Sequence, residues 1–141
     1  MQRMPTLTAL MTPFPYSIDL HASAAEAKDM MEAHDIRHLP VTDAGRPVGA
    51  LSERDILRAG ARTSLQNNVL VRDICVLDAY VVELSERLDT VLLHMAEQHI
   101  GSALVVRHGK LVGIFTATDA CRAFGEFLRA QFPPDRDDTV A

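Results

Sequence analysis

The feature of this sequence that most constrains its fold is an internal repeat. When the chain is shifted by 64 residues against itself, Ile36–Asp55 (IRHLPVTDAGRPVGALSERD) aligns without a gap on Ile100–Asp119 (IGSALVVRHGKLVGIFTATD). The register extends over about residues 7–61 of the first copy. A unit of this size does not easily bury its apolar sheet face alone, whereas two packed copies can. We therefore expect two related halves that pack face to face.

Each copy predicts the same order of elements. In the first copy, Ala24–His34 contains helix-forming residues and no Gly or Pro, which favours a helix. The apolar run His38–Val41 predicts a buried strand, and Gly45 suits a tight hairpin turn before a second strand at Pro47–Leu51. Ser52 then suits the N-cap of a second helix. The second copy repeats this pattern 64 residues later.

These patterns predict an α+β fold of two related motifs packed sheet to sheet about a pseudo-twofold axis. Residues 1–62 form the first motif with its N-terminal lead-in, and residues 63–128 form a linker and the second motif. Residues 129–141 are Pro-rich and acidic, which favours a disordered tail.

Composition restricts the function classes. The formal net charge of -5 disfavours a general nucleic-acid binder, although a single phosphate needs only a few local cations and backbone N–H groups. The N-terminus lacks the long apolar run of a secretory signal, and no stretch is apolar enough to predict a membrane helix. Cys75 and Cys121 have no CxxC spacing and are expected to be reduced and mostly buried. We expect a cytoplasmic protein that does not interact with membranes.

The repeated motif GxxSxxD, which is GALSERD at Gly49–Asp55 and GIFTATD at Gly113–Asp119, allows two interpretations. The glycine permits a close backbone approach to a ligand, and the hydroxyl lies beside free N–H groups at a helix N-terminus, where a phosphate is favoured. The aspartate could accept hydrogen bonds from the vicinal diol of a ribose. Alternatively, the hydroxyl and the aspartate simply cap the helix.

Together, IRHLPV…G…VGALSERD and IGSALVV…G…VGIFTATD resemble two tandem CBS motifs, the cystathionine-β-synthase-type domains that pair into a Bateman module. The resemblance covers residues from about Leu7 to Phe127 and suggests a stand-alone CBS pair. It implies β-α-β-β-α motifs and a regulatory module. The implied ligand is an adenosine-containing compound, such as AMP, ADP, ATP or S-adenosylmethionine, bound between the motifs.

The resemblance also implies the roles of individual residues. Asp55 and Asp119 would bind ribose hydroxyls. The sugar-phosphate would lie at Ser52 and Thr116, with Arg54 and Thr118 beside them. The adenine would lie against the backbone around Ile36–Arg37 and Ile100–Gly101, and Arg37 and His38 would be cations facing the phosphate. The implied ligand-binding residues are Ile36, Arg37, His38, Ser52, Arg54, Asp55, Ile100, Gly101, Ser102, Thr116, Thr118 and Asp119.

The two implied sites are unequal. Arg37-His38 of the first copy is replaced by Gly101-Ser102 in the second. A threonine frequent in the family is replaced by Ala22 in one copy and by Glu86 in the other. We therefore expect one competent site and one weak or empty site.

Other functions remain alternatives. No nucleophile with an adjacent base is visible, so we expect neither catalysis nor a required cofactor, and the scattered histidines do not predict a metal site. The resemblance implies a homodimer, with Leu92–Met95 contributing to its interface, and a regulated protein is a further expected partner. The competing hypothesis is a dimeric interaction scaffold that binds no ligand, in which both aspartates are only helix caps.

Overall fold

A computed structural model of the chain describes residues 3–62 and 68–135. Secondary structure alternates between short strands and helices throughout these two ranges. In chain order the elements are α1 (Leu7–Leu10), β1 (Thr12–Pro13), β2 (Ile18–Asp19), α2 (Ala24–His34), β3 (His38–Asp43), β4 (Arg46–Ser52), α3 (Glu53–Arg62), α4 (Val71–Ile74), β5 (Val76–Leu77), β6 (Val81–Glu83), α5 (Leu88–Gln98), β7 (Ser102–Arg107), β8 (Lys110–Thr116) and α6 (Ala117–Gln131).

These elements form two four-stranded sheets, with strand orders β2-β3-β4-β5 and β1-β8-β7-β6. In each sheet a parallel pair, β2 with β3 or β6 with β7, adjoins an antiparallel hairpin, β3–β4 or β7–β8. Strand β4 of one sheet lies against β7 and β8 of the other. The α+β class and the paired β-α-β-β-α motifs predicted from the repeat are confirmed.

The hairpins turn where the sequence predicted. Gly45 and Gly109 have φ angles of 80° and 77°, a left-handed backbone conformation that residues with a side chain rarely adopt. Helix α2 begins with a capping box, in which Ser23 Oγ accepts from Glu26 N at 3.0 Å.

The lead-in of each repeat packs on the opposite half. Strand β1 precedes the first motif but pairs with β8 of the second, and β5 precedes the second motif but pairs with β4 of the first. The short helices follow the same exchange. Leu7 of α1 is fully buried in the core of the second half, and Val71 of α4 is fully buried in the core of the first. The exchange interlocks the two halves, so the boundary between residues 62 and 63 stays a prediction about sequence units.

The two cores are largely aliphatic and form separate clusters. The first is formed by Ile18, Ala27, Met31, Leu39, Val41, Leu51, Ile56 and Val71, and the second by Leu7, Val82, Leu88, Val91, Met95, Ala103, Val105 and Phe115. The fully buried Phe115 takes the position that Leu51 occupies in the first repeat.

The two cysteines are more exposed than the sequence predicted. Cys121 is exposed on α6 and Cys75 is only half-buried, so the prediction of mostly buried thiols was wrong. It failed because α6 buries no residue in this chain.

The predicted disordered tail, residues 129–141, begins inside a helix, because α6 extends to Gln131. Residues 136–141 of that tail lie outside the described residues. No helix within the described ranges is both long and apolar enough to cross a membrane.

Candidate functional site

The repeated GxxSxxD motif forms the same helix cap in both halves. Asp55 N donates to Ser52 Oγ at 3.1 Å, and Ser52 N donates to Asp55 Oδ2 at 2.9 Å. At the start of α6, Asp119 N donates to Thr116 Oγ1 at 3.2 Å, and Thr116 N donates to Asp119 Oδ2 at 2.9 Å. The capping interpretation is therefore confirmed in both repeats, and it uses one carboxylate oxygen of each aspartate.

The second carboxylate oxygen distinguishes the two repeats. Asp119 Oδ1 lies 3.3 Å from Arg122 Nη1, which donates to it, and the Asp119 side chain is 11% exposed. Asp55 Oδ1 accepts no hydrogen bond from the part of the protein that the structure describes. An oxygen with both lone pairs available can accept from the hydroxyl groups of a ligand.

Asp55 lines a cavity of about 710 Å³ that both halves build. The end of β4 and the start of α3 form one wall, and the loop before β7 with the start of α6 forms another. Most residues predicted from the sequence meet here, namely Arg37, His38, Ser52, Arg54, Asp55, Ile100, Gly101, Ser102 and Thr118. Ile36, Thr116 and Asp119 do not line this cavity.

The sequence analysis missed the wall formed by residues 76–80. Val76, Asp78, Ala79 and Tyr80 line the cavity because β5 pairs with β4 and carries the following loop beside α3. The repeat aligns this segment with residues 12–16, which was the available signal. Alignment does not reveal, however, that the segment crosses to the other half.

The glycine of the motif has a different role from the predicted one. A Cβ atom on Gly49 would lie 2.6 Å from the carbonyl oxygen of Val76, and one on Gly113 would collide with the Met11 side chain. Gly49 does not line the cavity. Both glycines therefore admit the exchanged lead-in segment rather than a ligand, which corrects the prediction.

Cationic side chains surround the cavity on the Asp55 side. Arg54 and Arg58 line it and form no ion pair with any of the described residues. Arg37 Nε lies 3.8 Å from Glu53 Oε2, with the two side chains 82% and 53% exposed. Such an exposed pair contributes little to stability, so Arg37 can turn toward an anion at small cost.

His38 lies where the two halves meet. Its Cε1 would be only 3.3 Å from a Cβ atom on Gly101, so the absent side chain of Gly101 makes room for the imidazole. Burial lowers the pKa of His38, and this outweighs the opposing effects of the Asp55 and Asp119 carboxylates. The imidazole is therefore neutral at pH 7 in this structure. The sequence did not reveal the burial of His38, and its predicted role as a cation facing a phosphate stays a prediction.

Tyr80 forms a fixed part of the wall. Its ring lies 4.2 Å from that of His94, centroid to centroid, and its carbonyl oxygen accepts from Leu104 N at 2.9 Å. Burial, and secondarily Glu86, raises the pKa of the Tyr80 phenol, which is therefore protonated and able to donate a hydrogen bond at pH 7. Within residues 3–62 and 68–135, no group of His, Cys, Asp and Glu is arranged to hold a metal ion.

Comparison with known proteins agrees with this architecture. The family model for the CBS domain matches residues 7–62 and 71–126. Among solved structures, a Vibrio cholerae protein provisionally named acetoin utilization protein AcuB is 30% identical, with a TM-score of 0.79 over 94% of this chain and 99% of its own. The CBS domain pair of protein MJ0100, solved with 5′-methylthioadenosine and S-adenosyl-L-methionine, is 27% identical with a TM-score of 0.78 over 89% of this chain and 99% of its own. CBSX2, solved with AMP, is 26% identical with a TM-score of 0.73 over 88% and 98%.

A longer curated relative also matches. L-aspartate semialdehyde sulfurtransferase from Methanocaldococcus jannaschii is 31% identical over 113 residues, which is 79% of this chain. The chain spans about a fifth of that enzyme's length, since the match covers 21% of it.

Proposed function

This chain belongs to the CBS domain family, and we propose that it is a regulatory module that binds one adenosine-containing ligand in the cavity beside Asp55. The ligand class is that of AMP, ADP, ATP and S-adenosylmethionine. Support comes from related CBS pairs that were solved with AMP or with S-adenosyl-L-methionine and 5′-methylthioadenosine. The sulfurtransferase activity of the longer relative is not part of the proposal, because the shared segment is a small part of that enzyme.

The observation that carries the proposal is Oδ1 of Asp55, which accepts no hydrogen bond within residues 3–62 and 68–135. The capping box fixes the other oxygen, Oδ2, and therefore orients the carboxylate. Its second oxygen can accept from the 2′- and 3′-hydroxyls of a ribose. Ile100 and Leu57 supply apolar surface in the same cavity for the adenine base. Leu57 is more than half exposed and therefore accessible to a ligand.

We propose the remaining contacts from the residues that line the cavity. Ser52 and Thr118 would contact the sugar or its 5′ substituent, and Arg37 and Arg54 would face a phosphate or carboxylate. The backbone at Gly101 would lie beside the base. Thr116 and Asp119 would belong to the pseudo-equivalent site, which we propose is weak or empty, whereas Ile36 lines a smaller cavity between α2 and α3.

Regulation requires that the ligand bind two conformations with different affinities. The cavity draws its walls from both halves and from the exchanged segment that contains Tyr80. Binding there would change the relative stability of arrangements in which the halves pack differently. A partner protein that contacts both halves would sense that change.

Titration calorimetry and thermal shift with AMP, ADP, ATP, S-adenosylmethionine, NAD and GTP test the proposal. We expect binding of adenosine compounds at one ligand per chain. A ligand at a hundred times its Kd adds about 2.7 kcal/mol of stability. For a chain of this size that corresponds to a rise in Tm of several degrees. Two equal sites would contradict the one-site proposal, and no binding of any adenosine compound would contradict the function itself.

A dimeric scaffold is the second candidate, and one observation favours dimerisation in either case. Helix α6 carries Phe124, Phe127 and Leu128 on its exposed surface, and Leu93 of α5 is 66% exposed. Apolar side chains at this spacing fit a second copy of the chain. Light scattering after size exclusion would show a dimer that Phe127→Ser weakens. A scaffold without a ligand would dimerise and give no thermal shift with any nucleotide.

A further inference from the structure

The N-terminal lead-in, residues 3–13, docks on the second half as a separate segment. Leu7 of α1 is fully buried in the core of that half, and β1 pairs with β8 over two residues. Directly after β1, Phe14 N donates to Val112 O at 2.9 Å. The chain that follows belongs to the first half. All of these contacts would form equally well with the second half of another copy of the chain.

The linker between the lead-in and the first half is short and held at both ends. It consists of residues 14–17, which join β1 to β2. Tyr16 stacks on His34 of α2, with ring centroids 3.7 Å apart and planes 12° apart, and this contact ties the far end of the linker to the first half. The hydrogen bond of Phe14 N ties the near end to the second half. The direction of the lead-in is therefore set at Phe14 and Pro15.

Phe14 has a strained backbone conformation. Its φ is 44°, in the left-handed region that a bulky residue rarely adopts, and it is 80% exposed, so little packing offsets the strain. Pro15 adds to the strain, because the residue before a proline favours extended backbone. Asp78, the repeat equivalent of Phe14, has a φ of 59°, but aspartate tolerates this region and Ala79 follows it. The first linker is therefore strained where its repeat equivalent is not.

We propose that, at high protein concentration, residues 3–13 dock on the second half of a partner copy and form a domain-swapped dimer with Phe14 as the hinge. The swapped dimer keeps every contact of the lead-in and lets Phe14 leave the left-handed region in both copies. Relief of strain at two hinges opposes the entropy lost on association, and a short strained linker favours such an exchange. This dimer is distinct from one formed through α6, and it does not depend on a ligand.

A disulfide across the β1–β8 pair would identify which copy supplies β1. Thr12 and Ile114 are cross-strand partners, at a spacing that a disulfide spans. The full chain with Thr12→Cys/Ile114→Cys, in a Cys75→Ser/Cys121→Ser background, is refolded at high or low concentration and oxidised in air. We expect a covalent dimer on a non-reducing denaturing gel after refolding at high concentration, and a crosslinked monomer after refolding at low concentration. Crosslinked monomer alone at every concentration would overturn the proposal.

Two controls separate the exchange from chance collisions between chains. Arg107→Cys/Lys110→Cys joins cross-strand partners of one hairpin and, in the same background, should give a crosslinked monomer at both concentrations. Thr12→Cys alone should give no covalent dimer. Equal dimer formation by that single variant would overturn the proposal, because collisions between exposed thiols would then explain the crosslink.

The role of the hinge is tested without engineered cysteines. Phe14→Asp/Pro15→Ala gives the first linker the residues of its repeat equivalent, and Phe127→Ser in all chains weakens association through α6. Light scattering after refolding at high concentration should show a dimer for Phe127→Ser alone, and a dimerisation constant about tenfold or more lower with the hinge variant, because both hinges lose their strain. Ser17→Ala, at an exposed position of the same linker, should leave the constant unchanged. An equal constant for the hinge variant would overturn the proposal.

Discussion

Asp55 and Asp119 occupy equivalent positions in the two repeats, but the contacts of their carboxylates differ. Each closes a capping box through Oδ2. Asp119 Oδ1 accepts from Arg122 Nη1 at 3.3 Å, whereas Asp55 lines a cavity and its Oδ1 accepts no hydrogen bond from the described residues. Arg58, the repeat equivalent of Arg122, lines that cavity without forming an ion pair among the described residues. Duplication preserved the cap, which each helix needs, while the neighbouring side chains diverged. Shared motifs therefore identify a structural role more directly than a binding role.

The prediction with the largest expected effect tests the exchange of lead-in segments between the halves. Leu7 is fully buried in the core of the second half although it lies at the start of the first repeat. Leu7→Ala should lower the free energy of unfolding by about 2–5 kcal/mol, the usual range for a buried leucine. Denaturant unfolding measures this loss.

Thr8→Ala, at an exposed neighbouring position, is the control and should change stability little. Val71→Ala makes the reciprocal test in the other core, where Val71 is also fully buried. A loss near zero for Leu7→Ala would mean that the lead-in does not dock on the second half in solution.

The second prediction tests whether the two aspartates differ in ligand binding. Asp55→Asn retains an oxygen for the cap but replaces the uncommitted carboxylate oxygen with an amide. It should lower the affinity for the adenosine ligand that binds most tightly by about 10–100-fold, because a hydrogen bond to a charged group is lost. Asp119→Asn removes the same charge from the same kind of cap and should leave that affinity unchanged. Titration calorimetry on both variants makes the comparison, and equal losses would refute the asymmetry.

The third prediction compares the two motif glycines. A Cβ atom on Gly49 would press on the backbone carbonyl of Val76, whereas one on Gly113 would press on the Met11 side chain. A side chain can move more easily than a paired strand, so Gly49→Ala should cost more stability than Gly113→Ala, by about 1–3 kcal/mol. Thermal unfolding of the two variants provides the measurement. Gly125→Ala, at a position with open space around it, is the control.

Sequence reasoning succeeded where structure is local. Helix α2 was predicted at its observed bounds from composition, and the hairpin turns were predicted from Gly45 and Gly109. Nine of the residues that line the cavity were also named, from what the family resemblance implies. The strands β1 and β5 were missed because each has only two residues, too few to show an alternating pattern.

The site was harder to predict because it is assembled from segments far apart in the chain. Asp55 comes from the first repeat, Ile100 from the second, and Tyr80 from the exchanged segment. No spacing along one repeat encodes that assembly. The neutral state of His38 was unpredictable for the same reason, since its burial depends on the closeness of Gly101 in the other half.

The smallest expected effect concerns His38, whose repeat equivalent is Ser102. Burial lowers the pKa of His38 below its ordinary value of 6.5, and the nearby Arg54 lowers it further. Above that value the imidazole is neutral in both folded and unfolded chains, so it makes no pH-dependent contribution to stability. As the pH falls through 6.5 toward the lower folded pKa, the unfolded chain takes up the proton first, and the folded state loses stability. The His38→Asn variant should therefore lose less stability than the wild type as the pH falls across this window.

The comparison must separate His38 from the other titrating groups, because carboxylates and further histidines contribute to the same pH range. His108→Asn is the matched control, since His108 is exposed in the β7–β8 turn and its φ of 53° suits Asn. Chemical denaturation at several pH values should give a shallower acid-side slope for His38→Asn than for the wild type or His108→Asn. Parallel slopes for all three would show that His38 is not buried in solution and that the halves do not close over it. A bound anionic ligand should oppose this loss of stability, because a negative charge beside His38 raises its pKa. Binding of such a ligand should therefore become tighter as the pH falls and His38 takes up a proton.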